Sequence, residues 1–456
     1  MNIFYTIIKK IVEFYLVINY TTNRKYTFIH PITNRRKYME KKHIVVAGSG
    51  FAGLESAFLL RHYFKDKIKI TIVSNEENFL FRPNTIYIPF GLDPKELQIP
   101  LKEVLPKYNI EFIIDSVKDV DPKASQLLTE KQKISYDYLV LGTGAAMRPE
   151  EIPGLKEHAN TIWTPKEMLQ LRETIQKIIQ RSQEGKSTDL LFLVPPNNKC
   201  SGPLYEMVMM VDTYLRRQKA RDHVNIIWTT YEAGYIQAFG PRLDEVVTEE
   251  FQERNVHGYK EYVVKEVQAN KVIYQNGQEI KYDFLVSFPP YIASVFYKNV
   301  PTDERGFIQT NFNDRTVKGY NNIFAPGDAG DFPVKQAFLA FLQADTVANK
   351  IHADLLNSEF NAGFDPVSMC VMEQFDKATF AQVPLRLTGN PQKPIEVDPN
   401  RIDEYKVGVS PLWRIGKKIL GMYLPMRFKH AEPFHAGAAW KTMEIGLIGM
   451  SSILAD

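Results

Sequence analysis

The chain has 456 residues, 44% hydrophobic and 24% charged, with 56 Lys and Arg against 53 Asp and Glu and a formal net charge of +3. That length supports a large core in two or three domains, and so mild a charge gives no electrostatic ground for a nucleic-acid partner. Its two cysteines, Cys200 and Cys370, exclude a disulfide framework and leave either one redox pair or two inert core thiols.

Residues 1–38 open with an apolar run, Met1 to Ile8, interrupted by Lys9, Lys10 and Glu13. No small-residue cleavage site follows, so neither a signal peptide nor a spanning helix is expected. Residues 20–38 are rich in Thr, Asn, Arg and Lys, and Met39 stands just ahead of the first strong strand. Residues 1–41 therefore read as an extension outside the fold with Met39 as the start. An interfacial anchor is the rival reading.

His43–Ala47 is an uninterrupted apolar run of the kind a buried parallel strand shows, and Gly48-Ser49-Gly50-Phe51-Ala52-Gly53 follows it. Leu54 then opens an apolar helix. Between a strand and a helix, G-x-G-x-x-G is a dinucleotide cradle, because glycines permit the tight turn and the close approach of backbone N–H groups to pyrophosphate. The next strand, 68–73, ends in Ser74 and Asn75 where an acid usually meets the ribose, and Glu76 is either a substitute for that acid or a solvated loop charge. Phe79-Leu80-Phe81-Arg82-Pro83 forms an aromatic loop expected beside the cofactor. Residues 109–145 read as strands with an antiparallel turn, ending in Gly142-Thr143-Gly144.

A helix is expected over 165–185, then a buried strand over 190–194. A second nucleotide fingerprint would normally follow. Instead the chain gives Pro195-Pro196-Asn197-Asn198-Lys199-Cys200, a poor phosphate cradle, so a thiol takes the place of a nicotinamide nucleotide. The helix over 204–218 carries Glu206 at its start. Strands are expected at 224–228 and within 258–287. Ile323-Phe324-Ala325-Pro326-Gly327-Asp328 then gives strand, Gly-Asp and a helix over 334–356, with Lys335 at its start.

These segments resemble those of two-dinucleotide-fold flavoproteins. Cys200-x-Gly202-Pro203-x-Tyr205-Glu206, Met369-Cys370-Val371-Met372-Glu373 and Phe428-Lys429-His430-Ala431-Glu432-Pro433-Phe434 resemble the sulfide:quinone oxidoreductases and the related flavoprotein subunit of flavocytochrome c sulfide dehydrogenase. The resemblance runs from about residue 42 to about 450 and implies a specific set of roles. Cys200 and Cys370 would be the redox pair, with Glu206 assisting as proton shuttle. FAD would be held by Gly48, Ser49, Gly50, Phe51, Ala52, Gly53, Ser74, Asn75, Arg82, Thr143, Gly144, Gly327, Asp328 and Lys335. Trp163 stands where many members carry a third cysteine, so the FAD is expected to be non-covalent. Glu167 and Ala238 stand where flanking histidines are common. No metal site is expected.

Arg414, Lys417, Lys418, Arg427 and Lys429 interleave with Trp413, Ile415, Ile419, Leu420, Met422, Tyr423, Leu424, Met426 and Phe428, and a second apolar stretch runs from Trp440 to Leu454. A basic amphipathic pattern of this kind lies in a membrane interface. Residues 411–454 are thus expected to hold the chain on the cell-membrane surface as a peripheral, monotopic protein, with Pro425 breaking the first helix. Phe380 and Tyr423 are candidates for a quinone pocket. Packing of both stretches on the protein, or on a second copy in a homo-oligomer, is the alternative.

The fold class is α/β: two Rossmann-like dinucleotide-fold domains with a C-terminal amphipathic-helix membrane-associating region. The expected divisions are 42–150 and 301–362 for the FAD-binding domain, 151–300 for the second Rossmann-like domain, and 363–456 for the C-terminal region. The expected activity is oxidation of sulfide to sulfane sulfur, with electrons passed through FAD to a membrane quinone. The alternatives are a type II NADH:quinone dehydrogenase, a flavocytochrome c-type sulfide dehydrogenase, and a non-catalytic persulfide-binding flavoprotein.

Overall fold

The computed structural model describes residues 41–456, so the expectations placed on residues 1–38 lie outside it. Two parallel sheets organise the chain. The first runs, in spatial order, Ile323–Phe324, Tyr138–Leu141, His43–Ala47, Lys69–Ser74 and Ile110–Ile114. The second runs Asn160–Thr161, Phe284–Ser287, Thr188–Val194, Val224–Thr230 and Val256–Tyr259. Strands of both are covered on both faces, which is why they read as near-continuous apolar runs. Residues Ile44 to Ala47 and Leu191 to Val194 have no exposed surface.

Helix α1 (Phe51–Phe64) leaves the glycine turn after His43–Ala47. Helix α2 (Pro165–Gln183) starts at a capping box in which Thr164 and Glu167 exchange side-chain and backbone hydrogen bonds. Glu167, expected from the resemblance to stand where a flanking histidine is common, is a helix cap. Helix α3 (Gly202–Arg217) follows Cys200. Helix α4 (Ala337–Leu356) begins three residues later than expected, because Gln336 is extended and Lys335 lies in the preceding loop. The strand expected over 68–73 is displaced by one residue, to Lys69–Ser74.

One element was not anticipated. Val367–Glu373, Ala378–Asn390, Lys393–Val397 and Lys406–Ser410 form an antiparallel sheet, with Ala378–Asn390 at its centre. It pairs Cys370 with Ala381. Helix α5 (Pro411–Lys429) lies on this sheet, and helix α6 (Gly437–Leu454) closes the chain. The backbone of Asp456 exchanges hydrogen bonds with Val407, tying the end of the chain to the sheet.

Pro425 does not break α5. A proline inside a helix costs about 3 kcal/mol. It lies near the last turn, where Tyr423, Leu424 and Phe428 are buried, and Phe428 packs edge-on to Phe58 of α1 at 5.2 Å. Burial of that order in each large side chain, about 1.5–3 kcal/mol, offsets the lost hydrogen bond.

Candidate active site

A cavity of about 1220 Å³ opens where the carboxyl ends of both parallel sheets meet the C-terminal sheet and helices. It exceeds the roughly 1,000 Å³ of a large small-molecule site, leaving room for an extended dinucleotide and a second ligand. Gly48, Ser49, Gly50, Phe51, Ala52, Ser74, Asn75, Arg82, Thr143, Gly144, Asp328 and Lys335 all line it, and so do Cys200, Glu206 and Cys370. Gly53 and Gly327 stand behind the wall and shape it.

The glycine turn fits a pyrophosphate. A Cβ on Gly48 would sit 2.3 Å from the Gly142 carbonyl oxygen, and one on Gly53 would sit 2.1 Å from that of Gly48. A Cβ on Gly50 would meet nothing within 4 Å. Two glycines are thus required by packing, and the third faces open space at the start of α1, where anions are favoured. Gly327, at φ +73°, lies against Ala52, and its N–H donates to Gln343 Oε1 at 3.0 Å. The Ser49 hydroxyl donates to Ser74 Oγ at 2.8 Å, so Ser74 braces the turn at the position where an acid usually meets the ribose.

Lys335 is 3% exposed. Its ammonium lies 3.9 Å over the Phe307 ring and donates to the Gly330 carbonyl. Burial pulls its pKa down to about 8, against the opposing pull of Asp328. Burial pushes the Asp328 carboxyl up, while Lys335 and Arg82 hold it down. Arg82 stacks on Trp163 at 4.2 Å and donates to the Trp163 carbonyl at 3.2 Å.

Pro195 to Asn198 are more than a failed cradle. Asn198 Nδ2 donates to the carbonyls of Phe288 and Pro289, and its Oδ1 accepts the N–H of Cys200 at 3.0 Å. A buried asparagine thus fixes the cysteine's backbone, a role without a local sequence signature. Cys370 enters from the C-terminal sheet, its Sγ 3.9 Å from where a Cβ on Gly202 would sit. Both are free thiols here. Burial pushes both up, Cys200 further through its proximity to Cys370 and Asp328, and Cys370 to about 12. Neither environment favours a resting thiolate.

Glu206 lies beneath the pair. Its Oε1 accepts the N–H of Glu373 at 2.6 Å and pairs with Lys417, whose ammonium also donates to the Val371 carbonyl at 2.8 Å. Burial raises the Glu206 carboxyl and Lys417 opposes the rise. Glu373, fully buried, accepts from Arg414 Nε at 2.6 Å and from the Tyr87 hydroxyl at 3.0 Å. Arg414 and Lys417, read as interfacial cations, therefore turn inward to neutralise two buried carboxylates. Isolated buried carboxylates would cost far more than these pairs. Sequence reasoning missed both, because their partners lie on other elements.

Phe380 and Tyr423 do not line the cavity. Phe380 stacks under Trp413 at 4.0 Å, and the Tyr423 hydroxyl donates to the Phe434 carbonyl at 3.2 Å. The wall there is Leu420, Leu424, Phe338, Phe341, Phe434 and Trp440. The apolar residues of α5 divide by face. Trp413, Tyr423, Leu424 and Phe428 are buried, whereas Leu412, Ile415, Ile419, Met422 and Met426 form an exposed stripe. Among the described residues, no helix is long and apolar enough to cross a membrane.

A family model for pyridine nucleotide-disulphide oxidoreductases matches residues 42–179 and 213–344. The sulfide-quinone reductase of Aquifex aeolicus is 30% identical over 302 residues, covering 63% of this chain and 68% of the relative. The mitochondrial sulfide:quinone oxidoreductase of Dictyostelium discoideum is 26% identical over 360 residues, covering 76% and 79%. The X-ray structure of the Aquifex aeolicus sulfide:quinone oxidoreductase superposes with a TM-score of 0.78 at 24% identity, covering 89% of this chain and 95% of that one. Proteins named as NADH dehydrogenases also match, at lower identity.

Proposed function

The chain belongs to the pyridine nucleotide-disulphide oxidoreductase family, and within it to the sulfide:quinone reductases, and from that premise we propose that Cys200 and Cys370 oxidise sulfide on behalf of a bound FAD whose electrons go to a membrane quinone. The observation that carries this is the convergence of two cysteines, from a Rossmann-like turn and from the C-terminal sheet, on one cavity wall beside a buried Glu206–Lys417 pair.

The sulfur chemistry is an exchange. With Cys200 and Cys370 joined by a sulfur bridge, HS⁻ attacks one bridging sulfur; a new S–S bond forms, the old one breaks, and the departing cysteine leaves as thiolate. Because both thiols are pushed up by burial, that thiolate is strongly basic, and Glu206 is the carboxyl group placed to exchange its proton. Lys417 steadies whichever charge Glu206 carries. FAD, held by the glycine turn, Gly327-Asp328 and Lys335, supplies the two-electron acceptor when bound. Lys335 sets positive charge beside it. With Trp163 in place of the third family cysteine, the flavin is held without a covalent bond, and acid precipitation leaves a colourless pellet.

The exposed stripe Leu412, Ile415, Ile419, Met422 and Met426 lies in the membrane interface and brings the aromatic wall behind α5 to a lipid-borne quinone. Its charge support is modest: Lys418 and Lys429 point to solvent, while Arg414, Lys417 and Arg427 are engaged within the protein. The NADH-oxidising alternative is disfavoured by Pro195 and Pro196 at the turn that would hold the nucleotide. Anaerobic titration of Cys200→Ser and Cys370→Ser proteins tests the reading. Each should bind FAD normally and lose flavin bleaching by sulfide; full bleaching in either variant refutes the cysteine pair.

A further inference from the structure

Helix α5 carries a glycine in its interior, Gly421, where alanine would favour the helix more. The space it leaves is taken by another element. A Cβ at Gly421 would sit 3.0 Å from Asn84 Nδ2 and 3.4 Å from Asn84 Oδ1, so a methyl group there would displace the amide. Both residues line the cavity, as do Leu420 and Leu424 of α5. The missing side chain thus admits a carboxamide into an otherwise apolar stretch of wall.

Asn84 belongs to the short helical segment Arg82–Phe90 that follows the aromatic loop. That segment meets its backbone needs locally. The Asn84 N–H donates to the Phe81 carbonyl at 3.3 Å, and the Thr85 hydroxyl donates to that of Arg82 at 2.7 Å. The Asn84 side chain is half-buried and has no hydrogen-bond partner among the described residues. An amide offers two N–H donors and a carbonyl acceptor, and one turned into an apolar wall calls for a partner.

Its surroundings say what kind of partner. Phe81 begins a run of neighbouring rings that passes to Phe51 at 6.3 Å, on to Phe341 at 5.4 Å, and from there to Phe434 at 4.6 Å. Such a surface suits a flat apolar ring. Lys417, one turn earlier on α5, is committed to Glu206 and the Val371 carbonyl. Ile419 and Met422, beside Leu420 and Gly421 in the chain, belong to the exposed stripe. The amide therefore lies behind the helix face that meets lipid on the reading given above.

We propose that the Asn84 carboxamide is the hydrogen-bond anchor for one carbonyl oxygen of the ligand at this wall, and that residue 421 is glycine to admit it. The assignment rests on the quinone reading. Asn84 serves both redox forms, because its N–H donates to a quinone carbonyl and its Oδ1 accepts from a quinol hydroxyl. It selects for a ring that carries oxygen, since a ring without it leaves the amide unpaired.

The test follows reoxidation of sulfide-reduced holoprotein by a short-chain ubiquinone, with ferricyanide as an oxidant that needs no ring site. In Asn84→Leu, the quinone concentration for half-maximal rate should rise about 5-fold, the worth of one neutral hydrogen bond. Asn84→Asp keeps the shape and loses the N–H donors. At a pH near 8, where an aspartate is ionised, it should raise that concentration at least as much. Gly421→Ala keeps the carboxamide but displaces it, and should act in the same sense with no loss of thermal stability. Ferricyanide rates should not change. An unchanged half-saturation in Asn84→Leu or Gly421→Ala overturns the anchor, and a wild-type value in Asn84→Asp overturns it by showing that shape alone matters. Lost FAD or an altered flavin spectrum in Asn84→Leu also overturns it, by giving the amide to the flavin. Gly421→Ala carries the test if both Asn84 variants fail to fold. Failure of the quinone reading looks different: wild-type protein would be reoxidised by ferricyanide and not by quinone, and the anchor falls with it.

Discussion

Glu206 and Lys417 illustrate how single side chains set this site. Each is buried against the other, so removing one leaves an uncompensated charge. Glu206→Gln or Lys417→Met alone should cost about 3–5 kcal/mol in chemical denaturation, and the double variant should recover most of it. The thiols give a second expectation. Because burial holds Cys370 at about 12 and pushes Cys200 up as well, iodoacetamide at a pH near 8.5, where an ordinary thiol is about half ionised, should label neither in native protein whose sulfur bridge has first been reduced and both once that reduced protein is denatured. Glu232 gives a third. Burial raises its carboxyl from 4.5 to about 7, so the folded state holds a proton that the unfolded chain has lost. This disfavours folding increasingly as pH rises from about 4.5 to 7 and by a constant amount above. The stability of Glu232→Gln relative to wild type should therefore climb across that window and then level off. A flat difference would show that the raised carboxyl is not coupled to folding.

Helix α5 presents two apolar faces, one buried and one exposed. Trp413, stacked on Phe380, anchors it to the C-terminal sheet, and Trp413→Ala should cost about 3–5 kcal/mol. Ile419→Glu with Met422→Glu, on the exposed stripe, should leave stability and sulfide bleaching intact while abolishing sedimentation with liposomes. Retained sedimentation would place the contact elsewhere. The residues of this helix also show what could be read in advance. Its amphipathic stripe is periodic in the sequence, as are the buried runs His43–Ala47 and Leu190–Val194, and the glycines at 48, 50 and 53 announce their turn, because each depends on neighbours in sequence. The direction in which Arg414 and Lys417 turn depends on Glu373 and Glu206, far away in the chain. The same holds for Asn198 beneath Cys200 and for Asn84 against Gly421. The antiparallel sheet from Val367 to Ser410 was missed for a related reason: its strands alternate weakly, and its long-range pairing defines it. Pro425 stays inside its helix because the burial of Phe428, invisible to local sequence, offsets the local cost of the proline.

At the scale of the whole molecule, one cavity joins three bodies of structure. The glycine turn and Gly327-Asp328 come from the first parallel sheet, Cys200 and Glu206 from the second, and Cys370, Lys417 and the aromatic wall from the C-terminal region. On the proposed function, sulfide chemistry and quinone chemistry sit at opposite ends of this shared space, with the flavin between them. The second parallel sheet has exchanged a nucleotide cradle for a cysteine, and that exchange separates this chain's expected donor from that of the NADH dehydrogenases it also resembles. Anaerobic titration of the purified full-length protein, following flavin absorbance, tests this most directly. Sulfide should bleach the flavin stoichiometrically, a short-chain quinone should restore the colour, and NADH should do neither; rapid stoichiometric bleaching by NADH with none by sulfide would contradict the assignment.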